Sequence, residues 1–284
     1  VIFRARHFKF AFPRPALVMG VVNVTPDSFS DGGKHFTRDA AVAHALKLAG
    51  QGAEILDVGG ESTRPGAEPV EEKEEIRRVI PVIKKLAATF KNRKGSRPAI
   101  SIDTMKPAVA HAALEAGASI VNDVAANRCD DAMWKIAAKF QAGYVVMHAP
   151  PGLHKKQEGR DNIVPAIAAF FSKRLKELKA AGLTREQVIL DPGIGFGKNL
   201  EQNLQLLASL RVFQELHRPL LLGVSRKSFI EKLFGGKVNE RLPASLACAI
   251  LGIEAGARII RAHDVAETVQ ALRMTEAVLA RQER

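Results

Sequence analysis

Cysteine is nearly absent. Two thiols, Cys129 and Cys248, in 284 residues cannot build a disulfide framework. No C-x-x-C pair or Cys/His cluster accompanies them, which argues against structural zinc and predicts a reducing compartment. No apolar run reaches the roughly 18 residues that a membrane-spanning helix needs. The opening stretch VIFRARHFKFAF alternates basic and aromatic side chains and lacks the apolar core and cleavage site of a signal peptide, so the expected location is the cytoplasm. Three further signatures are missing: the P-loop G-x-x-x-x-G-K-[ST], a G-x-G-x-x-G after the first apolar run, and H-E-x-x-H. Nucleotide-triphosphate, dinucleotide and zincin chemistry lose their usual markers.

What is present is the balance of an ordinary globular chain, 46% hydrophobic and 25% charged. A chain of this length buries about three quarters of its unfolded surface, enough for a large core without staples. The net charge is +12, but the cations are dispersed, as in Arg77-Arg78, Lys84-Lys85 and Lys155-Lys156, and only 6% of residues are aromatic. That pattern suits a solvated surface with an attraction for anionic small molecules better than a nucleic-acid-binding face.

Short apolar runs at 17–22, 54–58, 99–102, 119–121, 144–147, 188–190, 220–224 and 258–260 alternate with amphipathic stretches at 39–49, 70–90, 107–116, 130–140, 163–181, 199–211, 243–255 and 265–281. Strand–helix alternation implies right-handed βαβ units and a parallel sheet. Eight such units in about 250 residues predict a single (β/α)8 TIM barrel, where a doubly wound sheet would need fewer strands or a second domain. No linker divides the chain, so one domain is expected over 1–284. Residues 1–16 read as an N-terminal strand or hairpin closing the barrel bottom.

In such a barrel the chemistry sits just past the C-terminal ends of the strands. Those positions hold Asn23, Asp57, Asp103, Asn122 with Asp123, His148, Asp191, Ser225 to Lys227, and Arg261 with His263. Any one of them is equally well explained as a turn or helix cap. Taken together, converging carboxylates would repel unless a cation or a donor-rich ligand lay among them. Asp103, Asn122 and Asp191 form an acceptor set suited to a flat heterocycle with several N–H groups. A transition-metal site is the competing reading, disfavoured by the lack of paired histidines. Asp57, inside ILDVGG, is as consistent with a buried structural carboxylate as with function. Lys227, Arg261 and His263 are expected on the opposite side of the mouth, where barrels often hold phosphate. The spacing of two would put Arg261 and His263 on one face of an extended segment. Lys227 also admits a solvated charge or an aldolase-type Schiff base.

Three loops stand out: NVTPDSFSDGG from Asn23, GGESTRPGAEP from Gly59, and DPGIGFGK from Asp191. The first two mix turn formers with glycine and suit closure over a ligand. The alternate glycines of the third let the backbone approach a ligand, with Phe196 available to stack.

MGVVNVTPDSFSDGG, GAEILDVGGESTRPG, ISIDT, AGASIVNDV, VVMH, ILDPGIGFGKN, GVSRKSFI and RAHDV follow in collinear order from Met19 to Val265. Through these segments the chain closely resembles the dihydropteroate synthases, pterin-binding barrels of the folate pathway. The resemblance implies a transferase, usually a homodimer, that joins 4-aminobenzoate to 6-hydroxymethyl-7,8-dihydropterin diphosphate, with Mg²⁺, giving 7,8-dihydropteroate and pyrophosphate. It implies pterin contacts from Asp103, Asn122, Asp191 and Lys227, with Met147 and Phe196 lining the pocket. The diphosphate falls to Asn23, Arg261 and His263, with Mg²⁺ near Asn23. The aminobenzoate falls to Phe29, Thr63, Arg64, Pro65 and Ser228. The catalytic set is then Asp103, Asp191, Lys227 and Arg261, acting in an S_N1-like loss of pyrophosphate. Departures are small: Ala149-Pro150-Pro151-Gly152 follows VVMH where the family has Met-x-Gly, and RAHDV replaces RVHDV. The kept TRPG and GIGFGKN show no pocket remodelled against sulfonamides. The alternatives are a corrinoid-linked methyltetrahydrofolate methyltransferase, which would not need TPDSF or SRKSF, and a synthase-like binder without turnover.

Overall fold

The computed structural model describes residues 1–25, 38–62, 67–91, 97–125, 130–150 and 162–282. Its centre is eight parallel strands: β3 (Leu17–Asn23), β4 (Ile55–Gly59), β5 (Ala99–Asp103), β6 (Ile120–Asp123), β7 (Gly143–Met147), β8 (Val188–Asp191), β9 (Leu221–Gly223) and β10 (Ile259–Ala262). They neighbour one another in the order β8-β7-β6-β5-β4-β3-β10-β9. A single parallel bridge, Leu190 to Leu220, brings the two ends of that sheet together into a nearly closed (β/α)8 barrel.

Around it lie α1 (Arg38–Gly50), α2 (Glu72–Lys91), α3 (Pro107–Ala116), α4 (Ala132–Lys139), α5 (Val164–Ala180), α6 (Leu200–Ala208), α7 (Ser228–Phe234), α8 (Leu242–Glu254) and α9 (Val265–Gln282). Two details depart from the periodicity reading. The stretch expected as one helix over 199–211 is a short α6 followed by a 3-10 helix, Leu210–Leu216. Helix α7 was not anticipated, because its seven residues are too short for an amphipathic period to register.

Side-chain alternation along the strands explains the layering. Leu56, Val58, Ile100, Ile102, Val121, Tyr144, Val146, Leu190, Leu222 and Ile260 face outward and pack with the helices in the main core. Met19, Ile55, Ala99, Ile120, Val145, Ile189, Leu221 and Ile259 face inward as an apolar floor. That floor is sealed by the N-terminal hairpin, β1 (Ile2–Ala5) paired antiparallel with β2 (Phe8–Ala11), through Phe3, Ala5, Phe10 and Phe12. Above the floor the inward positions turn polar. Register aligns Asp57 with Ser101, Asp103 with Asn122, Met147 with Asp191, and Gly223 with Arg261. The barrel is thus apolar at its N-terminal end and chemically equipped at its C-terminal end.

Candidate active site

Asp103 and Asn122, the inward residues ending β5 and β6, open onto a narrow pocket with Asp191, Met147, Phe196, Lys227 and Arg261. Val124, Met147, Ala149 and Phe196 supply an apolar wall, with Met105 packed behind. Asp103 Oδ1 and Asn122 Oδ1 are buried and without a hydrogen-bond partner among the described residues. Buried acceptors left open are costly, so their presence at a pocket wall marks places for a ligand's donors.

The orientation of Asn122 is fixed from below. Its Nδ2 donates to Asp57 Oδ2 at 2.9 Å, which turns its carbonyl oxygen toward the pocket. Arg261 donates from Nε to the same Asp57 oxygen and from Nη2 to Asp103 Oδ2, both at 2.7 Å. Asp57 is therefore the fully buried post on which a binding amide and the guanidinium both rest. Sequence reasoning left this residue undecided; its inward register with Ser101 and the hydrogen bond it accepts from Asn122 were the missing information.

Burial pushes the Asp103 carboxyl up to about 7; Arg261 opposes the shift, while Asp57 and Glu75 add to it. Asp191 is also raised by burial, against the hydrogen bond from Gly193 N and the nearby lysines. Lys227 is drawn down to about 8 by burial and by Arg261. For Arg261 the burial penalty is outweighed by Asp57 and Asp103, so its proton is held more firmly than in water. Lys227 Nζ stands 3.9 Å from the centroid of the Phe196 ring, a close cation–π contact. Its predecessor Arg226, at φ 60, is pinned by two hydrogen bonds to Asp264, at 2.9 and 2.5 Å, and by donation from its backbone N to Ser245 Oγ.

The expected two-sided mouth needs correction. Arg261 does not stand across from the carboxylates: it is interleaved with them, ion-paired to Asp57 and Asp103 on one rim. His263, just past β10, meets Ser225 Oγ through Nδ1 at 3.0 Å and is not among the residues lining the pocket with Arg261. Asn23 ends β3, half-buried, with its backbone registered to Gly59. Ser228 is exposed at the start of α7. Phe29, Thr63, Arg64 and Pro65 lie outside the described residues.

Residues 19–263 match the family model described as pterin binding enzyme. The chain is 44% identical over 268 residues to the dihydropteroate synthase of Escherichia coli (strain K12), covering 94% of this chain and 93% of that one. A Xanthomonas albilineans dihydropteroate synthase solved with 4-aminobenzoic acid superposes with a TM-score of 0.89 at 44% identity, covering 98% of both chains. The same enzyme in complex with 7,8-dihydropteroate gives 0.87 at 41%, covering 99% of both.

The chain belongs to the dihydropteroate synthases. These pterin-binding transferases share the barrel described above.

Several contacts that support this synthase site carried no signal in the sequence. Lys198 is buried and donates to three backbone carbonyls. Asp123, facing outward beside Asn122, accepts from Ala125 N at 2.9 Å and from the Tyr144 hydroxyl at 2.7 Å, which in turn accepts from Trp134 Nε1 at 3.0 Å. Lys106 bridges Glu61 and the fully buried Glu75, and Glu61 also accepts from Val70 N, joining the two flanks of the second loop. Asp123 stands at a strand end that spacing marks, but its partners, like those of Lys198 and Lys106, are not announced by spacing or composition.

Proposed function

We propose that Asp103, Asn122, Asp191 and Lys227 hold the dihydropterin ring and that Lys227 and Arg261 stabilise the departing diphosphate, so that the chain forms 7,8-dihydropteroate from 6-hydroxymethyl-7,8-dihydropterin diphosphate and 4-aminobenzoate. The observation that carries this reading is the pair of open buried acceptors, Asp103 Oδ1 and Asn122 Oδ1, in one pocket with Asp191, Lys227 and Arg261. An aminopyrimidinone edge rich in N–H groups matches acceptors and would leave them satisfied. Met147 and Phe196 give the flat ring an apolar bed.

Two cations placed before the reaction stabilise negative charge as the C–O bond to the diphosphate breaks. The carboxylates of Asp103 and Asp191 stabilise the cationic pterin methylene left behind, which is the S_N1-like course. An uncharged aniline nitrogen needs little activation, so positioning supplies the remainder. Ser228, at the start of α7 after Lys227, is assigned to the aminobenzoate side with Phe29, Thr63, Arg64 and Pro65. His263 is assigned to the diphosphate with Asn23 and Arg261.

Mg²⁺ fits the donor chemistry at Asn23. Among the described residues no group of three or more His, Cys, Asp or Glu side chains is arranged to hold a metal. Mg²⁺ is commonly bound by one or two protein oxygens plus substrate phosphates, and an amide oxygen at the mouth meets that need. Bound there, it would neutralise charge on the diphosphate.

The homodimer is proposed on α8 and α9, whose neighbouring surfaces expose Leu251 (57%), Met274 (68%) and Val278 (53%). The barrel with its hairpin is read as one domain. Among the described residues no helix is long and apolar enough to cross a membrane, and a cytoplasmic site is proposed with it.

The test is direct. The protein, both substrates and Mg²⁺ are mixed, and pyrophosphate and dihydropteroate are measured together. Equal, saturable release of both is expected; absence of both at saturating substrates overturns the proposal.

A further inference from the structure

Lys198 closes the glycine-rich loop after β8. It is 6% exposed, and its ammonium donates to the carbonyl of Gly193 at 2.7 Å and to those of His148 and Phe196 at 3.2 Å each. No ion pair to it exists among the described residues, although burying an ammonium without a contacting carboxylate is expensive. Its three N–H groups match three carbonyls from two different loops: His148 follows β7, and Gly193 and Phe196 follow β8.

The loop it grips has other ties, among them Phe196 N donating to the Gly193 carbonyl at 3.1 Å and Asn203 Nδ2 to the Lys198 carbonyl at 3.2 Å. Gly193 N donates to Asp191 Oδ1 at 2.7 Å, and Gly195 N donates to Asn203 Oδ1 at 2.7 Å. Gly193, Gly195 and Gly197 all have positive φ, at 69°, 83° and 62°. A Cβ on Gly193 would lie 2.0 Å from the His148 carbonyl oxygen, so the two loops touch backbone to backbone at the point where Lys198 ties them. Phe196, whose carbonyl Lys198 holds, carries the ring beneath Lys227 Nζ.

We propose that Lys198 is a positioning residue for the pterin pocket: by gathering these three carbonyls it sets the Phe196 ring, and through it Lys227, at the height a flat bicyclic ligand requires. The inference rests on the reading that this pocket takes the pterin. It assigns Lys198 no contact with substrate. Burial draws its ammonium down to about 7, against the field of Asp191 and with that of Lys227.

The experiment measures KM for the pterin diphosphate, kcat, and calorimetric affinity for 6-hydroxymethylpterin in Lys198→Met, Lys198→Arg and Asp191→Asn. For Lys198→Met, KM should rise ten-fold or more and pterin affinity should fall in parallel, with kcat lowered too because Lys227 loses its setting, and KM for 4-aminobenzoate within two-fold. Lys198→Arg keeps the cation and should recover part of the loss. A merely structural lysine would lower melting temperature and active fraction while leaving KM unchanged, and that result overturns the proposal. Should Lys198→Met fail to fold, Lys198→Arg decides: KM raised three-fold or more supports positioning, and unchanged KM refutes it. Asp191→Asn separates the two ideas. If it too leaves pterin affinity intact, the pocket reading fails; if it alone weakens binding, only the role of Lys198 does.

Discussion

Asp57 and Arg261 meet at 2.7 Å over the intervening strand β3, between the middle of β4 and the inward face of β10. The same Asp57 oxygen accepts the Asn122 amide, so one carboxylate sets the direction of an acceptor and of a cation at once. Removing Asp57 takes one of two carboxylates from Arg261, which keeps Asp103, and strands the buried Asn122 donor, a loss of about 1–3 kcal/mol. Asp57→Ala should lose stability of that order in urea denaturation. The milder Asp57→Asn should fold and still lose about 100-fold in kcat/KM, since small misplacements of reacting groups cost that much. Native activity in Asp57→Asn would return the residue to a purely structural role.

The pH profile should be a narrow bell. In free enzyme Asp103 titrates near 7 and Lys227 near 8, both shifted chiefly by burial. Ionisation of Asp103 gives the rising limb of kcat/KM and loss of the Lys227 ammonium gives the falling one, because that parameter reports free-enzyme groups. Arg261, Asp191 and Asp103 all face Lys227, so the apparent values belong to the cluster. Lys227→Arg, with a cation that does not titrate below about pH 12, should flatten the alkaline limb even if overall activity falls. A limb unmoved by that substitution would show that another group controls it.

Site and stability pull against each other at Asp191. Its folded pKa is raised, so the protonated form favours the folded state; that contribution is present below the unfolded value near 4 and is lost as pH rises through the folded value. Asp191→Asn keeps an acceptor for Gly193 N and removes the buried charge. Its melting temperature should exceed the native one at pH 7, with the gap closing toward pH 4. For a chain this size each kcal/mol moves the midpoint by about 2–4 °C. Activity should fall sharply in the same variant. Equal melting at both pH values would contradict the assignment of a charge penalty to this site.

Much of this was legible before any coordinates. The strands were short apolar runs ended by polar residues, and β/α alternation leaves few topologies, so each strand falls within a residue or two of its expected place. Asp103, Asn122, Asp191 and Arg261 were visible for the same reason: chemistry in this architecture sits where a strand ends. What could not be read was who pairs with whom. Asp57 lies one pleat below the rim, and only the register with Ser101 shows that it faces inward beneath Asn122. The two-sided mouth was wrong because Arg261 reaches past β3 to Asp57 on β4 and Asp103 on β5, and reach is not a property of sequence spacing. Nothing in the spacing of the glycine loop marks Lys198; its burial depends on the loop after β7 lying over it.

The seal at the barrel bottom offers a test far from the chemistry. Gly143 opens β7 directly under the N-terminal hairpin, and a Cβ there would lie 2.5 Å from Phe3 Cζ and 3.0 Å from Ala5 Cβ. Phe3 is fully buried and stacked on Phe10, with 5.8 Å between centroids, so it has little room to withdraw. Overpacking of this kind costs about 1–3 kcal/mol. Gly143→Ala should therefore lower the melting temperature while leaving KM for both substrates unchanged, because the clash lies at the end of the barrel away from the pocket. Phe3→Leu should be destabilising alone, yet in combination with Gly143→Ala it should lose less than the sum of the two, since the smaller side chain opens the space that the new methyl needs. Strict additivity would mean that the hairpin is not packed against β7 as described.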